Sequence, residues 1–321
     1  MTALMTSSVT SLAVEMNDAM EDLFYAIAQQ TRAIDDPFAR FAALLTESWN
    51  SMPAESWRKF IADTVHAHPL FEFLQTDPFT RHSRLRPRGY PGDAELLDYI
   101  YDHPDSMPSQ NAATPLGRAI CRYGINRPAP QAVRERRDRL ASELQRLALK
   151  PGSEALSVAC GHLREAELAG REAVSELGRL VAIDQDARSL NLVERKWKGT
   201  PVQTRVSDVT RLLRPAFRET LGQFDFVYSA GLFDYLSDRL AARMTGAMLS
   251  LCRPGGKLWV FNFTPSTSDV GYMQAVMDWW LVYRNANQMA ALAHEQGSAV
   301  ASWRTFYDAT RSVIVLEIIR A

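Results

Sequence analysis

From Glu154 to the C-terminus, short β-rich runs alternate with stretches long enough for a helix, and this alternation narrows the folds open to the chain more than any other feature. The runs are EALSVAC, RLVAIDQD, VQTRVSD, FDFVYSAG and KLWVFNF. Parallel neighbours need a crossover of a dozen or more residues, usually a helix, so five such runs in sequence predict a doubly wound parallel sheet. The last two runs, AVASWRTFYD and SVIVLEIIRA, are separated only by Ala309, Thr310 and Arg311. A connection that short forces an antiparallel pair. The expected class is α/β: a Rossmann-like sheet closing on an antiparallel C-terminal hairpin.

The N-terminal half has a different texture. From about Glu15 to Leu74 apolar residues fall at helical spacing, as in Leu23, Phe24 and Ile27 or Phe38, Phe41, Leu44 and Leu45, which predicts several amphipathic helices. The first residues read as a frayed lead-in to a helix. From Arg81 to Pro104 the chain is loop-like through PRGYPG and then enters a helix with Asp93 as its N-cap, an arrangement suited to a ligand-facing lid. Gln131 to Lys150 is a charged helix with Val133, Leu140, Leu144 and Leu147 on one stripe, ended by Pro151 and Gly152. The domain boundary is expected there, with a helical lid and substrate segment over 1–150 and the Rossmann-like domain over 151–321.

Composition removes several classes of function. The formal net charge is -1, so no overall field draws the chain to nucleic acid or an anionic membrane. Arg134 to Arg139 alternates with Glu135 and Asp138, the pattern of a solvated helix face. Cys121, Cys160 and Cys252 are odd in number and lack CxxC spacing, which fits a reducing compartment, the cytoplasm, and no zinc site. His66 and His68, two apart on a helix, diverge and suit no metal. The N-terminus has neither a basic region nor a sustained apolar core, and no stretch approaches the ~20 apolar residues of a membrane span. A small-molecule substrate is the expected partner, and a homo-oligomer is compatible with the sequence.

The chemistry is expected at the carboxyl ends of the strands. The first run leads into Ala159-Cys160-Gly161-His162-Leu163 and then a helix, and Gly161 lets backbone approach a ligand there. Only one glycine of a G-x-G-x-x-G is present, so a ligand without a pyrophosphate suits this turn better; a plain strand-to-helix turn is the alternative. His162 lies in the same turn, where a backbone hydrogen bond is its ordinary role. The second run ends at Asp184, 23 positions after Gly161, where a carboxylate would accept from ribose hydroxyls. The third ends at Asp208, within reach of an adenine amino group, and the fourth at Ser229. Each aspartate could equally cap a helix.

In order and spacing from Glu154 onward, including Arg253-Pro254-Gly255-Gly256-Lys257 before the fifth run, the chain resembles the class I S-adenosylmethionine-dependent methyltransferases. The resemblance implies a seven-stranded sheet and S-adenosyl-L-methionine as cofactor. Contacts would fall on Cys160, Gly161, Asp184, Asp208 and Ser229, with Arg164, Glu165, Gln185, Val209, Ala230 and Gly231 beside them. A narrower likeness rests on Arg88-Gly89-Tyr90-Pro91-Gly92-Asp93, on SAGLFDYLSDR from Ser229 and on MDWWLVYR from Met277. These blocks resemble the bacterial extracellular-factor 3-hydroxypalmitic acid methyl ester biosynthesis proteins. That subfamily is itself similar to enzymes that cyclise the cofactor's amino-acid part to azetidine-2-carboxylic acid with loss of methylthioadenosine.

The resemblance implies methyl transfer to a small metabolite, at a carboxyl or other oxygen nucleophile, with cyclisation as the alternative and a non-catalytic binding protein on the same fold as a further one. Tyr90 and Tyr228 are the candidates for groups beside the reacting atoms. Arg88 or Arg284 would grip an acceptor carboxylate, and Phe233, Tyr235, Trp279 and Tyr283 would line the pocket. Surface ion pairing for the arginines and core packing for the aromatic residues are the competing roles.

Overall fold

The computed structural model describes residues 2–29 and 34–321; residues 30–33, inside the stretch expected to be helical, lie outside the described residues. The chain forms two compact units, Met1–Gln131 with Thr267–Trp280, and Ala132–Ser266 with Leu281–Ala321.

The first unit is helical. Its helices include α1 (Thr2–Ala28), α2 (Asp35–Ser51), α3 (Pro78–Leu85) and α4 (Ala94–Ile100). The expected lead-in is thus already helical from Thr2. On α2 the predicted stripe Phe38, Phe41, Leu44 and Leu45 is buried. The carboxylate of Asp77 caps α3, accepting from the backbone N–H of Phe79 (2.9 Å) and Thr80 (3.0 Å). Asp93 caps α4 as expected, accepting from Leu96 N–H at 2.8 Å. A short helix from later in the chain, Val270–Ala275, completes this unit against α2. Gly271 makes that approach possible, since a Cβ there would lie 2.3 Å from the carbonyl carbon of Leu45. Trp57 Nε1 donates to Gln274 Oε1 (2.8 Å), and Arg127 Nε to Asp269 Oδ1 (2.7 Å).

The next helix, α5 (Pro128–Ala148), enters the second unit at Ala132. The division therefore falls within the first turn of this helix rather than after Lys150. The reason is its buried stripe and polar ties: Glu143 Oε1 accepts from Lys257 Nζ (2.9 Å), and Glu135 Oε2 from Ala309 N–H (2.8 Å).

The second unit holds β1 (Glu154–Val158), β2 (Arg179–Asp184), β3 (Val202–Val206), β4 (Phe224–Ser229), β5 (Cys252–Phe263), β6 (Val300–Tyr307) and β7 (Val313–Arg320). Their order across one sheet is β3-β2-β1-β4-β5-β7-β6. Strands β1 to β5 are parallel, and β7 runs antiparallel to both β5 and β6. This is the Rossmann-like fold of class I methyltransferases, with the predicted C-terminal hairpin. The Pro254-Gly255-Gly256 turn, expected before the fifth strand, lies inside β5, where the pairing with β4 shifts between Phe224 and Phe226, and Gly256 has no room for a side chain, because a Cβ would meet Arg253 O at 2.7 Å and Phe224 O at 3.1 Å. The sheet core, with Leu156, Ile183, Val227, Phe233, Val260 and Leu316 among its buried residues, fixes the strand ends in space.

Candidate functional site

In the turn after β1, Ala159, Gly161 and Leu163 all adopt the left-handed conformation, with φ of 54°, 53° and 54°. Only glycine takes that conformation freely, so Ala159 and Leu163 carry strain of order 1 kcal/mol each. Such strain persists when neighbours over-determine the backbone. Here Cys160 N–H donates to Ile183 O (3.1 Å), and Gly161 N–H to Asp184 Oδ2 (2.8 Å). Asp184 Oδ1 accepts from Asp186 N–H at 2.9 Å. Asp184 is 5% exposed, and burial holds its carboxyl above the ordinary range against these backbone donors. Each carboxylate oxygen has a second lone pair, so both can still accept from a ligand hydroxyl.

A second buried group joins β1, β4 and the short helix α6 (Arg164–Ala169). Tyr228 O–H donates to Glu165 Oε1 at 2.8 Å, and Ser157 Oγ to the same oxygen at 3.4 Å. Tyr228 is fully buried, and burial, then the neighbouring Glu165 carboxylate, pushes its hydroxyl well up. Burial also raises Glu165. Tyr228 is therefore a tie between strand and helix and does not stand free to reach a reacting atom, contrary to expectation. Cys160 is partly buried beside this network, its thiol raised first by burial and then by Asp184 and Glu165. Arg164 is buried and turned onto its own helix, with Nη1 on Glu167 Oε1 at 2.5 Å.

At the third strand end Asp208 is exposed and acts as a cap, accepting from Thr210 N–H at 2.8 Å; this hydrogen bond lowers its carboxyl. Gln185 is exposed and Val209 half-buried beside it. At the fourth, Ser229 is fully buried, yet its Oγ has no hydrogen-bond partner among the described residues. Ala230 and Gly231 follow it, partly exposed.

The expected acceptor residues fare differently. Arg284 is 1% exposed, and its five N–H groups are consumed within the sheet unit. Nη1 donates to Phe233 O (2.8 Å) and Asn262 Oδ1 (2.7 Å), Nη2 to Leu236 O (2.6 Å) and Asp238 Oδ1 (2.9 Å), and Nε to Asp238 Oδ1 (3.1 Å). No donor remains for a substrate carboxylate, so Arg284 is a structural hub. Phe233 is fully buried in the sheet core, a packing residue and not a pocket wall. Tyr235 is 39% exposed and Tyr283 partly buried. In the helical unit Arg88 is bonded to Glu95, Tyr90 is partly exposed in the 86–92 loop, and Trp279 is 6% exposed with its N–H on Met273 O (2.7 Å).

One residue at this edge escaped the sequence reading. Arg136 on α5 is 4% exposed and donates from Nη1 to Ala230 O at 2.7 Å, so the run from Arg134 to Arg139 is not wholly a solvated face. Its spacing held the signal, because position 136 lies three after Val133 and four before Leu140, inside the apolar stripe.

Residues 155–256, about a third of the chain, match the family described as Methyltransferase domain. Over nearly its whole length the chain is similar in fold to a protein of Bordetella parapertussis described as a possible exported protein, with 21% identity, TM-score 0.58 and 98% of each chain covered. An N-methyltransferase from Bradyrhizobium japonicum, crystallised with S-adenosyl-L-homocysteine, matches 58% of this chain and 86% of its own at 17% identity and TM-score 0.42. A magnesium protoporphyrin IX methyltransferase from Synechocystis, also with bound S-adenosylhomocysteine, matches 60% and 87% at 14% identity and TM-score 0.45. No curated protein matches the chain.

Proposed function

We propose that the sheet unit binds S-adenosyl-L-methionine and that the protein transfers its methyl group to a small metabolite, at a carboxyl or other oxygen nucleophile. The observation that carries this reading is the strained turn after β1, clamped by the buried Asp184 carboxylate at the sheet's carboxyl edge, the usual cofactor position of doubly wound folds. The match of residues 155–256 to a methyltransferase domain supports it.

The residues suit the cofactor chemically. The spare lone pairs of Asp184 can take ribose hydroxyls, the exposed Asp208 an adenine amino group, and the orphaned Ser229 Oγ supplies a buried polar atom in need of a partner. With one glycine in place of a glycine-rich loop, the turn has no phosphate cradle, in keeping with a nucleoside ligand that carries none. The cofactor would supply a methyl group on a sulfonium, already a good leaving group. What remains for this chain is to hold two partners in line and exclude water. An acceptor oxygen that is anionic near neutral pH needs no strong base, which fits a site whose Tyr228 and Glu165 are engaged with each other. Among the described residues no helix is long and apolar enough to cross a membrane.

Calorimetric titration with S-adenosylhomocysteine tests the cofactor and is expected to give saturable one-site binding; no heat and no thermal stabilisation would remove the reading. Product analysis after incubation with S-adenosylmethionine alone tests the reaction. Methylthioadenosine with a cyclic amino acid, above the non-enzymatic level, would replace methyl transfer by cyclisation.

A further inference from the structure

We infer that Arg136 is a carboxylate-binding residue of the cofactor site, and that it makes the site selective for a ligand with an intact amino-acid end. The inference rests on the cofactor reading above. Arg136 is 4% exposed as a residue, and its only hydrogen bond among the described residues is from Nη1 to Ala230 O at 2.7 Å. Nε has no partner. A largely buried cation whose Nε is unpartnered and whose fork makes one hydrogen bond is costly unless an anion meets it.

The buried carboxylates that feel its charge, Glu165 and Asp234, do not fill that need. Glu165 is occupied by Tyr228, and Asp234 Oδ1 accepts from Phe263 N–H at 2.6 Å. Burial raises both carboxyls, the positive charge of Arg136 offsets part of that rise, and neither carboxylate bonds to it. What stands against the guanidinium is the turn after β4. A Cβ on Gly231 would lie 3.8 Å from Nη2 and 3.9 Å from Nη1, so the glycine leaves the fork facing bare backbone. Two residues back, Ser229 carries the other orphaned buried polar atom at this strand end. Two unsatisfied groups of complementary kind, a forked cation and a hydroxyl, thus flank Ala230. A planar monoanion matches the fork bidentately, and the α-carboxylate is the one such group on S-adenosylmethionine. The stripe position of Arg136, between Val133 and Leu140 on a helix tied down through Glu135 and Glu143, holds the fork in place before any ligand arrives.

The test uses the full-length protein and three probes: S-adenosylhomocysteine, S-adenosyl-3-thiopropylamine, which lacks only the carboxylate, and methylthioadenosine, which lacks the amino-acid end. The wild type is expected to bind the first on the order of tenfold to a hundredfold more tightly than the second. Arg136→Gln should lose about that factor for S-adenosylhomocysteine and keep its affinity for methylthioadenosine within about twofold, and Arg136→Lys should recover part of the loss. Equal wild-type affinity for the first two probes overturns the inference with no variant needed, as does an Arg136→Gln protein that weakens all three alike. If none of the three binds the wild type, the cofactor reading itself falls.

Discussion

Asp184 has one observed role, as acceptor for the turn after β1, and one proposed, as acceptor for ribose hydroxyls, and the two respond differently to substitution. Its oxygens hold the N–H groups of Gly161 and Asp186, which keeps the strained turn after β1 closed. Its remaining lone pairs are the ones proposed to take the ribose hydroxyls. Asp184→Ala removes both, whereas Asp184→Asn keeps one acceptor oxygen. Hydrogen bonds to a charged group contribute roughly 1.5–3 kcal/mol, so Asp184→Ala is expected to weaken S-adenosylhomocysteine binding by about tenfold to a hundredfold in calorimetric titration, and Asp184→Asn by less. An alanine variant that is folded and binds normally would reduce Asp184 to a loop support. Asp77 offers a test of a different kind. Burial pushes its carboxyl from an ordinary 3.8 up to about 6, against the two backbone N–H groups it caps. The folded state therefore holds the proton more tightly than the unfolded chain. The resulting stability is fully present below about pH 4 and is lost as pH rises through 6. Asp77→Asn keeps one of the two capping acceptors and does not titrate, so its constant loss of one hydrogen bond does not change with pH. In urea unfolding, its stability relative to wild type should rise by on the order of 2–3 kcal/mol between pH 4 and pH 7. A pH-independent difference would mean that Asp77 does not titrate in that window.

At the scale of elements, Arg284 shows why a strand-end motif is easier to read than a side chain's role. It ends the aromatic block MDWWLVYR, where a cation looks free to meet substrate, but its donors are taken by the 233–238 segment after β4 and by Asn262 on β5. Those partners are remote in sequence, and no local pattern announces them. Breaking such a buried hub leaves carbonyls and Asn262 unsatisfied and costs roughly 3–5 kcal/mol. Arg284→Ala should lower the urea midpoint strongly, and Arg284→Lys should fall well short of restoring it, because an ammonium cannot reproduce the planar fork. A stable Arg284→Ala protein with a raised KM would instead return the residue to substrate binding. The strand ends themselves were legible: Gly161, Asp184, Asp208 and Ser229 fall where periodicity and turn chemistry put them, because a parallel sheet places every βα turn on one edge. Arg136 was hidden for the opposite reason. A charge within a charged run reads as solvated unless its position is counted against the apolar stripe.

On the scale of the whole molecule, the chain is not divided where its composition changes. Pro151 and Gly152 mark the end of a helix, and a boundary was expected there, but the helix belongs from Ala132 to the sheet unit. The helical unit in turn takes a later segment, 267–280, which leaves the sheet unit after β5 and returns to it at Leu281. No local signal marks such a loan, since it depends on a fit between that segment and helices some 200 residues earlier. Gly271 is where the fit is closest. A methyl group there would come within 2.3–2.6 Å of the Leu45 and Thr46 backbone, and backbone on both sides cannot yield as a flexible side chain would. Thr46 Oγ1 also donates to Ser268 O at 2.8 Å across the same contact. Overpacking of this kind typically costs 1–3 kcal/mol, and about that or more is expected where backbone is the obstacle. Gly271→Ala should therefore loosen Val270–Ala275 from α2, seen as faster amide hydrogen exchange in both segments, while β1 to β5 keep their protection. If exchange in the 267–280 segment is unchanged, or the sheet opens to the same extent, the segment is not held by this contact, and the division of the molecule into two units would need to be redrawn.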